Sequence, residues 1–294
     1  KEHEISETVH TAIITALVGG VILVFVGFFL SKPLLTLMGT PADVIDHSVL
    51  YMRIYFAGMP VMLVYNYGSA VLRAVGDTKR PLYYLLSAGV VNVCLNLIFV
   101  IVFHMGVAGV ALATVTAQVI SASLIIRCLM KTDSSYKLEI KKLRFSTDKF
   151  VRMMRIGIPA GLQGSIFSIS NVLIQSSVNS FGSIVMAGNT AAANIEGFVY
   201  MAMNALYQTA LSFTGQNMGA KNYKRIYKIM WICLGMVTVI GLVLGNAVYL
   251  FGNTLVGIYS SDAEVIHYGV LRLLYISVPY FLCGLMDVMV GVLR

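Results

Sequence analysis

The sequence predicts an all-α polytopic membrane protein built as two homologous helical lobes, and three observations lead there. Only 12% of the residues are charged while 58% are hydrophobic, against roughly 25% charged in soluble domains. Apolar runs of about 18 residues or more recur along the chain, and a bilayer core takes about 20 helical residues. The chain also repeats itself. Arg53 is followed seven residues later by Pro60 and then by Leu72-Arg73, and Arg272 is followed seven residues later by Pro279 and then by Leu293-Arg294. The offset of about 220 residues is too long for a solenoid, whose units hold roughly 20 to 50, and suits a duplicated bundle.

Eight transmembrane helices are expected, over 8–31, 47–74, 82–104, 106–130, 150–180, 184–215, 224–252 and 263–294. The first is a plain apolar run. The second and the eighth carry Pro60 and Pro279, which kink helices but are tolerated in membranes. The third carries Asn92 and Asn96, and the fourth Thr114, Gln118 and Ser121. The fifth opens on Ile156-Gly157-Ile158-Pro159, and the sixth bears a polar stripe around Glu196. The seventh is again a plain apolar run. Spans beyond the minimum length imply tilt or extension into the headgroups. A membrane barrel is excluded, because no segments of about ten residues alternate apolar and polar.

These helices fall into an N-terminal lobe (1–130), a basic linker (131–149) and a C-terminal lobe (150–294). Because the repeat pairs the second helix with the eighth, each complete unit holds six helices. The lobes of this chain, which begins at Lys1, are then incomplete at both ends, and helices three to ten of twelve are expected. With a cytoplasmic N-terminus, every Lys and Arg except Lys32, Arg53 and Arg272 lies at a cytoplasmic loop, as the positive-inside rule requires. Lys131, Lys137, Lys141, Lys142, Arg144 and Lys149 make the linker basic, and Leu138, Ile140, Leu143 and Phe145 make it amphipathic. A segment lying on anionic headgroups accounts for that composition and for the +8 net charge better than nucleic acid does.

Enzyme chemistry finds no support. Cys94, Cys128, Cys233 and Cys283 fall singly in or at the ends of apolar helices, as packing residues do, and His3, His10, His47, His104 and His267 are scattered as solvated side chains. No phosphate loop, nucleophile elbow or zinc signature is present, so no cofactor and no resident metal are expected.

Glu196 and Asp287 are the two acids deep in apolar segments. An acid at the bilayer centre costs about 2.5–3.5 kcal/mol on insertion scales and usually faces the bundle interior with a function. Both are therefore the candidate cation-coupling residues, with Na⁺ or H⁺ as the ion. Asn189, Tyr200, Asn204 and Gln208 share a helical face with Glu196, while Ser168, Asn171, Gln175 and Asn179 form a second stripe on the preceding helix. Together with Gln163 they are candidates to line a wet cavity, to which Asn92, Asn96 and Gln118 contribute a weaker first-lobe set. The competing reading is that these amides only hydrogen-bond helices together, at about 0.6 kcal/mol each. Arg53 and Arg272 are expected to snorkel to the outer interface.

Leu72-Arg73-Ala74-Val75-Gly76-Asp77-Thr78, Ile156-Gly157-Ile158-Pro159-Ala160 and Gly215-Gln216-Asn217-Met218-Gly219-Ala220, in this order, resemble the multidrug and toxic compound extrusion (MATE) family over the whole chain. The resemblance implies a V-shaped pair of six-helix lobes in the bacterial inner (plasma) membrane. It would act as a monomer, exporting amphiphilic organic cations by alternating access in antiport with Na⁺ or H⁺. Its partners are then the lipid bilayer and small drug-like molecules. Two departures stand out. Gln163, Ser165 and Phe167 follow Pro159 where one branch carries an acid, and Leu95-Asn96 stands where many members have Leu-Asp. A lipid-linked oligosaccharide flippase of related architecture is the alternative, opposed by the lack of basic residues in the membrane interior. A signalling receptor is the third class, opposed by the repeat.

Overall fold

The structure, a computed structural model, describes residues 2–37, 45–140 and 143–294; the linker's Lys141 and Lys142 lie outside them, as does the side chain of Asn179. Among the described residues every regular element is helical: α1 (Glu2–Leu37), α2 (Ile45–Ala57), α3 (Met59–Ala74), α4 (Lys79–Leu97), α5 (Gly106–Lys131), α6 (Thr147–Asn179), α7 (Ser183–Gly219), α8 (Tyr223–Leu250), α9 (Gly252–Gly257), α10 (Ala263–Ser277) and α11 (Phe281–Leu293). Six spans are long and apolar enough to cross a bilayer, and a seventh if the bent pair α2–α3 counts as one. Helix α7 is the sixth expected span and the one outside that set; it has the length, and its Asn, Gln and Glu residues lower its hydropathy.

The repeat is visible as backbone geometry. Gly58 separates α2 from α3 at a bend of 45°, with Pro60 in the first turn of α3, where its missing N–H leaves no bond unmade. Pro279 likewise sits in a 3₁₀ turn, Val278–Tyr280, that divides α10 from α11. Opposite each bend stands a glycine. A Cβ on Gly20 of α1 would overlap the Pro60 backbone, and one on Gly245 of α8 would overlap the carbonyl of Ser277. Both lobes thus seat a broken helix against an unbroken one through a residue without a side chain.

The chain divides into two compact units, Lys1–Arg155 and Ile156–Arg294. In the first, Val9, Ile13 and Ala16 of α1 meet Val64, Tyr65 and Leu72 of α3 and Ile125 and Leu129 of α5. In the second, α7 packs against α8, α10 and α11 around Val199, Met203, Val237 and Val288. Helix α6 starts in the first unit and gives most of its length to the second, with its apolar residues exposed. Large apolar side chains such as Phe29, Trp231 and Tyr275 are outward-facing, as in a protein solvated by lipid.

Two of the sequence motifs prove to be helix turns. After α3 the Gly76 N–H bonds the Arg73 carbonyl (3.0 Å) and the Asp77 N–H the Leu72 carbonyl (2.9 Å), a Schellman stop with Gly76 at φ 91°. Asp77 then opens α4 by accepting the Arg80 N–H at 3.1 Å. The same arrangement closes α7, where Asn222 N bonds Asn217 O (2.9 Å) and Lys221 N bonds Met218 O (3.0 Å). There the left-handed position is held by Lys221, at φ 56°.

The linker is tied to the first unit at several points. Leu138 is buried in the first unit's core, with its N–H on the Leu129 carbonyl at 2.9 Å, while Ile140, Leu143 and Phe145 are exposed. Two further N–H groups tie it to α1: Glu139 N donates to His10 Nε2 at 3.2 Å and Ser146 N to Thr11 Oγ1 at 3.1 Å. His10 is thus a buried acceptor rather than a solvated side chain. A backbone donor beside a low-polarity core needs such a partner.

Candidate functional site

Glu196 lies in the middle of α7 and is only 6% exposed. Both of its carboxylate oxygens are taken by Arg272 of α10: Nε donates to Oε1 at 3.0 Å and Nη2 to Oε2 at 2.8 Å. The remaining Nη1 donates to Oδ1 of Asn189, two turns earlier on α7. Asn189 in turn donates from Nδ2 to Gln175 Oε1 of α6 at 3.1 Å. A planar guanidinium on a carboxylate in this two-bond arrangement is among the stronger charged contacts. In low dielectric, it removes the cost of burying either charge alone.

The backbone makes this possible. One residue before Asn189 stands Gly188, and three before Arg272 stands Gly269. A Cβ on Gly188 would lie 2.6 Å from the Val265 carbonyl oxygen and 2.9 Å from the Gly269 nitrogen. The close crossing brings α7 and α10 near enough for Arg272 to span them.

Arg272 therefore does not snorkel outward as expected. It sits nine residues into α10, roughly 14 Å along the axis, and Glu196 attracts it inward. Arg53, its counterpart in the repeat, is exposed and stacks its guanidinium over the Phe28 ring, 4.6 Å from the centroid.

Asp287 is half-buried on α11 and forms no hydrogen bond or ion pair among the described residues. Of the remaining candidates, Gln163 accepts a bond from Arg294 Nη2, while Arg294 Nη1 reaches the Tyr207 hydroxyl at 3.0 Å. Ser168, Asn171, Gln175, Tyr200 and Gln208 are exposed and Asn204 is half-buried. The first-unit residues form their own cluster, in which Asn96 donates to Asn92 (3.0 Å) and Asn92 to Thr114 (3.5 Å). The buried carbonyl oxygens of Asn96 and Gln118 have no partner there. Among the described residues no group of His, Cys, Asp and Glu has the geometry of a metal centre.

Sequence reasoning missed Arg272 and Asn189 as partners of Glu196. The signal was present: a deep acid needs a counter-charge, and Arg272 is the basic residue of the second lobe's apolar segments that stands furthest from a segment end.

Comparison with known proteins bears on what this arrangement does. The MatE family profile matches residues 1–98 and 159–294. A Bacillus subtilis protein named as a probable multidrug resistance protein, YpnP, is 33% identical over 91% of this chain and 60% of its own length. A second from the same organism, YoeA, is 27% identical over 100% of this chain and 65% of its own. This chain thus spans under two thirds of either relative. Among solved structures, a multidrug resistance MATE family transporter in an outward-facing conformation superposes with a TM-score of 0.89 at 21% identity. The match covers 97% of this chain and 64% of that one.

Proposed function

This chain belongs to the MatE family, and on that premise we propose that the protein it forms is a secondary active multidrug exporter. It carries amphiphilic organic cations outward by alternating access in antiport with Na⁺ or H⁺. Its seat is the bacterial inner membrane, with the N-terminus and the 131–149 linker on the cytoplasmic side. The family match and the multidrug-resistance names of the relatives support export. The observation that carries the coupling reading is the pair of membrane-embedded acids with unlike surroundings: Glu196 holds Arg272, and Asp287 forms no hydrogen bond or ion pair among the described residues.

Asp287 is the coupling carboxylate in this reading. A proton or Na⁺ can bind it without displacing a partner, and the resulting change of charge biases two arrangements of the bundle if one of them holds the ion better. Glu196 would first have to release Arg272, and breaking a buried pair costs about 3–5 kcal/mol. Its role is to set the field and hold α10 against α7. The exposed amides of α6 and α7, with Tyr200, provide a polar wall for substrate. The flippase alternative gains little from Arg272, because Glu196 neutralises that charge and leaves nothing for a pyrophosphate.

Ethidium efflux from pump-deficient bacteria expressing the complete protein, with and without Na⁺, tests this. Asp287→Asn should reduce efflux to background at unchanged unfolding temperature, whereas Glu196→Gln should lower both. Normal export by Asp287→Asn removes it as the coupling site. Absence of wild-type efflux across a panel of cations removes drug export itself.

A further inference from the structure

At the end of the α4–α5 hairpin remote from its turn lies a recess of about 500 Å³ walled by Arg80, Tyr84, Leu124, Arg127, Lys131 and Asp133. Its charges are unequally matched. Arg80 is fixed by Asp77 (3.2 Å) and by the Cys128 sulfur (3.5 Å), and Asp133 is engaged by Lys137 at 3.5 Å. Arg127 and Lys131, one turn apart at the end of α5, form no hydrogen bond or ion pair among the described residues. Two free cations with a third held beside them face a recess whose one carboxylate is already occupied.

The surroundings say what kind of anion fits. Both helices are long and apolar enough to span a bilayer, and the recess lies at their ends, where headgroup phosphates are found. Leu124 of α5 and the ring of Tyr84 give the recess an apolar wall of its own. Basic pockets at the ends of membrane helices hold anionic lipid headgroups by this combination of charge and apolar wall.

We propose that Arg80, Arg127 and Lys131 form a binding site for the phosphate of an anionic phospholipid. The same charges could attract a soluble phosphate ester; their place at the ends of two membrane-length helices favours the lipid. The site depends on membrane residence and not on which compound the protein carries.

Native mass spectrometry of the purified complete protein, titrated with phosphatidylglycerol or phosphatidylcholine, tests it. Wild type should retain phosphatidylglycerol preferentially. Arg127→Gln/Lys131→Gln should weaken that retention roughly 30-fold, at about fivefold per basic side chain, with an unchanged melting temperature. Lys131→Glu alone should weaken it by a comparable factor, and Arg152→Gln/Arg155→Gln should leave it unaltered. Equal lipid retention by the double variant, or equal loss in the Arg152/Arg155 control, overturns the site. Displacement of the lipid by millimolar glycerol 3-phosphate would reassign it to a soluble ester.

Discussion

Arg53 and Arg272 hold the same place in the internal repeat, seven residues before a helix-breaking proline, yet one lies exposed on a phenyl ring and the other is half-buried on a carboxylate. The surrounding backbones match, with a glycine opposite each bend. What differs is the neighbour: α7 presents Glu196 and Asn189 to Arg272, and the residue facing Arg53 is Phe28. Duplication therefore set the bends of both halves, whereas the state of each arginine follows from the side chain that meets it, Phe28 in one and Glu196 in the other.

The largest test of that contrast is to remove each arginine. Arg272→Met leaves a buried carboxylate unpaired and should destabilise the protein by about 3–5 kcal/mol, read as thermal unfolding in detergent. The double variant Arg272→Met/Glu196→Leu should recover most of it. Arg53→Met should lose no more than about 1 kcal/mol, the worth of an exposed cation–π contact. Equal losses at the two arginines would end the comparison.

Next comes Asn189→Ala, which removes one charged hydrogen bond and should lose about 1.5–3 kcal/mol; a double-mutant cycle with Arg272→Met should show strong coupling between the two. Gly20→Ala and Gly245→Ala sharpen the likeness instead of the difference. Each places a Cβ into opposing backbone, and both should lose a similar amount, about 1–3 kcal/mol.

The smallest effect concerns the two Schellman turns. Gly76 adopts the left-handed conformation without strain, while Lys221 adopts it against its own Cβ. Lys221→Gly should therefore raise stability by about 1 kcal/mol, whereas Gly76→Ala should lower it by a similar amount. Denaturant midpoints measured side by side would check the sign.

Much of this was legible from residue order alone. Apolar length located the helices, Pro60 and Pro279 located the bends, and the insertion cost of a deep acid singled out Glu196 and Asp287. Arg272 was misread because the repeat suggested that it would behave as Arg53 does. A repeat records backbone descent, but the partner of a long side chain depends on which helices cross, and Gly188 facing Gly269 has no signature beyond two glycines. The linker's ties to α1 were not legible either, because the His10 and Thr11 acceptors cannot be inferred from the linker's own residues.

The ion pair also has a consequence in time. Its members are 76 residues apart, so at synthesis rates of about 5–20 residues per second Glu196 waits roughly 4–15 s for its counter-charge. During that interval α7 carries a lone carboxylate that must stay in the wet insertion channel or take up a proton. Release of α7 into lipid is thus set by the emergence of α10, and nascent chains arrested before residue 272 should still crosslink through α7 to the insertion machinery.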